Sequence, residues 1–543
     1  MTAVTADVVV RAGAIHAFDG SDRRARSLAI RGTEILAMGD RPDDLDELIG
    51  ARTRVVHDPE LVLLPAFHDT HMHQMWTAVD AHGVALGHTR CIADVVGAVA
   101  VRARETPPGE WIVSSASWHE TTLAENRMPT AQEIDAATRE HPVVLRRGGH
   151  NLVANSMALA RAGIDRDTPN PERGTIVRGS DGSPTGWLIE PLAMKPVLDL
   201  LPPFSFEDRV DALGKLCREL NAHGIAAVRD AGSDPGAPQV FQALHDRGGL
   251  TTRSRMMIML TLTGDTEAKI AEIESWPVHT GFGDDMLRID ALKLLLDGGV
   301  EAAAMDEPYA NDPDFRGHLL IEPDEIEQLV TVGLDRGWKV GAHAFGDFTT
   351  RTLVDVYERV LRTRPDLPPG TLVIEHAGLA GPDVRRRAIE LGIGISVQYP
   401  VLYRLAANAV RYWGPERADR IFPIREWIEE GAVVGGGSDA FVADWDVLAG
   451  VRGMVTRETA VAGVQGARSA IDRRTAFELY TNRAAEFVGE GDRRGSLVPG
   501  QLADIVAFRE DPLTCELDAL TELDVALTLV GGRAVHDPGG AFA

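Results

Sequence analysis

Apolar residues fall into two regimes along the chain. At both ends they form short runs punctuated by glycine. Val8–Val10, Ser27–Ile30 and Ile35–Ala37 near the start, with turns at Ala12-Gly13 and near Gly32, predict strands. Ala503–Ala507 and the sequence TLVGGRAVHD, with Gly531-Gly532 as a hairpin turn, predict the same near the end. Neither end is long enough to bury a sheet face by itself. Both are therefore expected to share one composite β-sandwich domain, residues 1–62 with 490–543.

The middle of the chain alternates apolar strands with helical periodicity. After Pro323, acidic Asp324 and Glu325 occupy a first helical turn, where the helix dipole favours negative charge. Ile326, Leu329, Val330 and Leu334 then recur at helical spacing, Gly337 is a natural stop, and Trp338–His343 reads as a strand. A second such unit runs through Leu372–His376, a helix from Pro382 to Leu391, and Gly394–Val397. Strands of this buried type are expected at Leu63–His73, Gly224–Asp230, Arg255–Leu260, Ile289–Asp297, Trp338–His343, Leu372–His376, Gly394–Gln398 and Val433–Asp439. Eight strands alternating with helices predict an α/β fold, a (β/α)8 TIM-type barrel over residues 63–84 and 204–489. Residues 85–203 break the alternation and are expected to be an insertion after the first barrel strand, folded over the barrel mouth.

Composition narrows the partners. The chain of 543 residues carries a net charge of −26, so nucleic acid and anionic membranes, which need a basic footprint, are not expected as partners. Cys91, Cys217 and Cys515 are isolated, which excludes a disulfide scaffold and argues against thiolate zinc sites. No leader pattern and no membrane-length apolar run are evident, so a cytoplasmic protein acting on a small molecule is expected, with homodimer formation left open.

Barrel chemistry sits at the C-terminal ends of the strands, and several strands end in polar residues. The first ends Asp69-Thr70-His71-Met72-His73. Strand alternation places Asp69, His71 and His73 on one face, where two imidazoles can converge on a divalent ion. His68 falls on the other face and reads as a packed or surface histidine. HxH alone is a weak signal. His343 and His376 ending the fifth and sixth strands, and Asp439 ending the eighth after three glycines, turn it into a candidate site for zinc or a similar cation. Lys293 lies within the apolar fourth strand, where burial should lower its pKa. It reads equally as a free amine able to form a CO₂-derived carbamate bridging two cations, or as a partner of Asp297.

The residues PAFHDTHMH at 65–73, Lys293, GAHAFGD at 341–347, EHAG at 375–378, GSDA at 437–440 and YTNRAAE…GSLVPGQLADIV at 480–506 together resemble the amidohydrolase superfamily, family 3 branch, which includes N-substituted formamide deformylase. WIVSSASW, RMPTAQEID, GHNLVANSMAL and TGWLIE in the insertion extend the resemblance across essentially the whole chain. Two departures stand out. Ala66 and His68 replace the usual Gly and small aliphatic residue before HxH, and Gly346 stands where deaminase relatives carry Glu, which disfavours deamination of a nucleobase-like ring.

The resemblance implies metal-dependent hydrolysis of a C–N bond in a small amide or N-formyl amine. One or two divalent ions, zinc foremost, would be held by His71, His73, His343, His376, Asp439 and a carboxylated Lys293. Asp439 would also shuttle the proton between water and leaving amine, and Asp69 would orient a ligand imidazole. Trp118, His150 and Asn155 are candidates for substrate contact, and Trp111, Trp118 and Trp187 for an aromatic wall. The alternatives are lyase, decarboxylase or other hydrolase chemistry on the same site, or a catalytically silent scaffold.

Overall fold

In the computed structural model, which describes residues 4–21 and 24–542, eight parallel strands form the expected barrel. They are Phe67–Met72, Ile225–Ser233, Arg253–Met259, Leu287–Leu295, Lys339–Ala344, Leu372–His376, Gly394–Val397 and Val434–Gly436, each laddered to its neighbour in sequence. Burial on both faces explains why these strands read as continuous apolar runs; every residue of Ile225–Ser233 is buried. The ladder stops short of joining the last strand to the first. The gap is bridged just beyond it: Asp439 N–H donates to His71 O and His73 N–H to Ala440 O, both at 2.7 Å. Gly437 makes this approach feasible, because a Cβ there would lie 2.6 Å from His71 N. The eighth strand thus ends earlier than its apolar run, and Asp439 belongs to the bridging segment.

The run Leu63–His73 divides. Arg54–Pro65 pairs with Val8–His16 and Ile505–Phe508 in a separate seven-stranded sheet, and the barrel strand starts only at Phe67. A single apolar run cannot show that its two halves hydrogen-bond to different sheets. The seven-stranded sheet also contains Arg24–Arg31, Glu34–Gly39, Val525–Val530 and Arg533–His536, so strands from both ends of the chain interleave. Ala12-Gly13 is no turn: Val8–His16 continues through it with a register shift, and a Cβ at Gly13 would meet Pro59 O at 2.3 Å. The hairpin at Gly531-Gly532 forms as expected, with φ of 54° and 72°, values that favour glycine.

Within the insertion, Ile112–Val113, Val143–Arg147, Asn151–Ala154, Pro184–Ile189 and Thr175–Arg178 build a five-stranded sheet with apolar clusters on its two sides. Helices Pro323–Asp335 and Pro382–Glu390 match their sequence signatures. No helix among the described residues is long and apolar enough to cross a membrane.

Candidate metal centre

Four histidines and one aspartate from four strand ends meet in one buried cluster. Donor atoms of His71, His376 and Asp439 lie within 4.8 Å of one another. His73 Nε2 stands 3.2 Å from Asp439 Oδ1, and His71 Nε2 3.4 Å from the same oxygen. The His343 ring centroid is 4.5 Å from that of His376, which is 4.7 Å from that of His71. His376 and Asp439 have φ of 74° and 61°, a left-handed conformation uncommon outside glycine. Such strain persists where surrounding structure imposes it, and here it re-aims both side chains at the strand ends.

The donor set fits a divalent cation. His71 Nε2, His343 Nε2 and Asp439 Oδ1 are buried without a hydrogen-bond partner among the described residues. Each such atom costs about 1–3 kcal/mol if left unsatisfied. Burial lowers the pKa of His73 to about 4 and those of His343 and His376 well below their ordinary value, so these imidazoles are neutral and their lone pairs free near pH 7. Burial alone would raise the Asp439 pKa, but contacts from His71 and His73 and nearby His376 hold the carboxyl well below its ordinary range.

The imidazoles are fixed from behind by residues that the sequence did not single out for this role. His71 Nδ1 donates to Glu375 Oε2 at 2.7 Å, and His376 Nδ1 meets Gln398 Oε1 at 2.7 Å. Both contacts turn Nε2 toward the cluster. Glu375 also accepts from Arg229 Nη1 at 2.6 Å, and Arg229 Nε donates to Asp290 at 2.5 Å. A charged residue inside an apolar strand, the signal that drew attention to Lys293, would have found Arg229 too. Asp69 does not orient an imidazole. Its Oδ1 accepts the backbone N–H groups of His71 and Ser438, so it ties the first strand to the segment carrying Asp439.

Lys293 is buried and has no hydrogen bond or ion pair among the described residues. Burial lowers its pKa to about 8, against the opposing pull of Glu375 and Asp439. The pairing with Asp297 does not form. Asp297 instead accepts the N–H groups of Ala304, Phe345 and Gly346 and the Thr349 hydroxyl. A glutamate at Gly346 has no room, since a Cβ there would lie 1.9 Å from Ala304 O.

A cavity of about 410 Å³ opens over the cluster and touches His73, Lys293, His343, His376 and Asp439. Of the three insertion candidates only His150 lines it, its Nδ1 2.8 Å from buried Glu190. Trp118 is sealed in the insertion's own core, with Nε1 donating to Arg146 O. Asn155 caps helix Ser156–Arg161 and accepts the Val143 and Ala158 N–H groups. Trp111 and Trp187 pack within the insertion as well. The aromatic wall comes instead from Trp76, Phe345 and Phe441. Sequence spacing shows that an aromatic residue is present, but not which side of a sheet it faces.

A sequence profile described as the amidohydrolase family matches residues 60–536. The chain is 27% identical over 547 residues to the Arabidopsis thaliana protein LONG AFTER FAR-RED 3, covering 98% of this chain and 92% of that one. It is 26% identical over 535 residues to N-substituted formamide deformylase of Arthrobacter pascens, covering 95% and 94%. Among solved structures, a metal-dependent hydrolase from Pyrococcus horikoshii superposes with a TM-score of 0.74 at 22% identity, covering 94% of this chain and 99% of that one.

Proposed function

The chain belongs to the amidohydrolase family, and on that premise we propose that it hydrolyses the C–N bond of a small amide or N-formyl amine at a divalent metal, zinc before others. The observation that carries this is the convergence of His71, His376 and Asp439 donor atoms within 4.8 Å, with unpartnered buried atoms aimed inward. His73 and His343 complete a set of neutral imidazoles and one carboxylate suited to zinc. A bound ion would lower the pKa of water and polarise the substrate carbonyl.

The protein's own groups supply the rest. Glu375 and Gln398 hold His71 and His376 in the tautomer that presents Nε2. Asp439, ionised at neutral pH, accepts the proton of the attacking water and returns it to the leaving amine. The cavity over these groups is lined largely by apolar side chains. Lys293, a buried amine with no partner among the described residues, is the group on which a carbamate would form if two ions are held.

The test is a panel of N-formyl amines, N-acyl amino acids and small cyclic amides, scored for released amine and acid beside elemental analysis of protein purified without chelators. Release of amine that depends on bound metal is expected. Metal-free protein rules out the metal reading, and metal-loaded protein inert on every amide points to a different reaction or a silent scaffold.

A further inference from the structure

The chamber above the metal centre is walled mainly by apolar side chains, among them Met194, Leu198, Met259, Leu262 and Leu405. Arg146 interrupts that wall without serving the metal centre. It lies near the end of the insertion strand Val143–Arg147 and lines the chamber with its side chain 25% exposed. Its backbone is pinned on both sides: the N–H donates to Ser114 Oγ at 3.0 Å, and the carbonyl accepts from Trp118 Nε1 at 2.5 Å. The guanidinium lies over Phe441, with Cζ 4.9 Å from the ring centroid, and Nη1 reaches Asp80 at 3.5 Å. Asp80 is itself committed, both of its oxygens accepting the Ala116 N–H at 3.1 and 3.0 Å. Nε and Nη2 of Arg146 donate to no described residue, yet neither is among the atoms sealed without a partner.

A guanidinium carries five N–H donors in a rigid planar fork. Here the aromatic face and Asp80 fix the plane and leave donors open to the chamber. This arrangement suits a carboxylate held by two parallel hydrogen bonds. Phe441 also meets the His73 ring, centroids 5.8 Å apart, so the fork stands one aromatic ring away from the metal centre.

We infer that Arg146 anchors a carboxylate on the amine side of the substrate, so that acylated amino acids, which carry it on the carbon next to the scissile amide nitrogen, are preferred over uncharged amides. The inference rests on the hydrolytic reading of the metal centre. Apolar neighbours such as Met194 and Leu198 would receive the amino acid side chain that branches from that carbon.

The test compares N-formylphenylalanine with N-formylphenethylamine, which share the amide and the aromatic ring and differ by the carboxylate. With zinc-loaded full-length protein, kcat/KM is expected to favour the carboxylate member by about 10–100-fold, mostly through KM, as suits a charge-assisted contact partly open to water. Arg146→Met should collapse that preference toward unity, and Arg146→Lys should keep part of it. Equal kcat/KM values in the unaltered protein, or a preference that survives in Arg146→Met, overturn the assignment. Calorimetric binding of the same two compounds separates this from the reaction itself. If neither is hydrolysed but the carboxylate member binds more tightly, and only when Arg146 is present, the hydrolytic reading fails and the anchor stands. If both are hydrolysed without preference, the hydrolytic reading stands and the anchor fails. Equal or absent binding of both compounds also overturns the anchor. Should Arg146→Met not fold by circular dichroism, the selectivity of the unaltered protein and of Arg146→Lys still decides.

Discussion

His71 Nδ1 and Glu375 Oε2 stand 2.7 Å apart, both fully buried, and the second Glu375 oxygen receives Arg229 at 2.6 Å. A carboxylate so placed fixes the imidazole tautomer and the orientation of Nε2, the atom offered to the metal centre. Glu375→Gln should therefore keep the fold but weaken metal binding by about 10–100-fold. A chelator competition that finds unaltered affinity would show that Glu375 serves Arg229 rather than His71.

Asp439→Asn should lower kcat by about 10²–10⁴-fold, because an amide cannot carry the proton from water to amine. Metal content measured on the same sample separates lost proton transfer from lost binding. Near-normal turnover would assign the base elsewhere, with Glu375 the next residue to test.

Lys293 has no ionic partner among the described residues of its buried site, and its pKa of about 8 keeps part of the amine free at neutral pH. If it carries a carbamate, Lys293→Ala should lose metal and activity together, and acetate or formate should restore part of both. A variant that keeps the metal stoichiometry of the unaltered protein would show that the lysine is unmodified and that the ions are held without it.

Trp118→Ala should cost about 3–5 kcal/mol of stability, the range for emptying a large aromatic site in a core. Relative activity across accepted substrates should not change, because Trp118 packs inside the insertion. Trp76→Ala, on the cavity wall, should change that ranking instead. A substrate ranking altered by Trp118→Ala would contradict the placement.

Metal-free protein should lose stability as pH falls from about 6.5 toward 4. Burial holds the pKa values of His73 and His119 at about 4, and those of His68, His343 and His376 well below the ordinary value. These five rings stay neutral in the fold but take up protons on unfolding in that window, so acid favours the unfolded chain. Asp69, raised by burial to about 6, and Asp230 and Asp297, raised to about 7, act in the opposite sense, because the folded form keeps protons the unfolded form would release. His318, lowered by burial, joins the histidines, while Asp80 and Asp446, raised by burial, and His150, raised by Glu190 against its burial, join the carboxylates. The expected sign follows the histidines, five of which are displaced by a large margin against three carboxylates. Calorimetric Tm values at pH 7 and 5 check the sign, and a Tm that rises on acidification would refute it.

The barrel and the identity of the clustered residues were legible in the order of residues alone. Eight apolar runs, six of them ending in His or Asp, can bury both strand faces only inside a ring of helices, and that ring brings their C-terminal ends together. Sequence patterning also marked Lys293, because an ammonium in an apolar strand stands out without any coordinates. What lies one atom further out depended on how distant segments of the chain pack together. Glu375 and His376 are adjacent in sequence, and alternation alone would send them to opposite faces. The positive φ at His376 and the Arg229 fork make both serve one centre. Asp297 was a reasonable partner for Lys293 by spacing, but four donors brought in by the fold from Ala304, Phe345, Gly346 and Thr349 claim it first. Likewise the tryptophans of the insertion could not be assigned to wall or core, since burying an aromatic ring is favourable against either surface. Which surface it meets depends on contacts between segments far apart in the chain, and local periodicity carries no record of them.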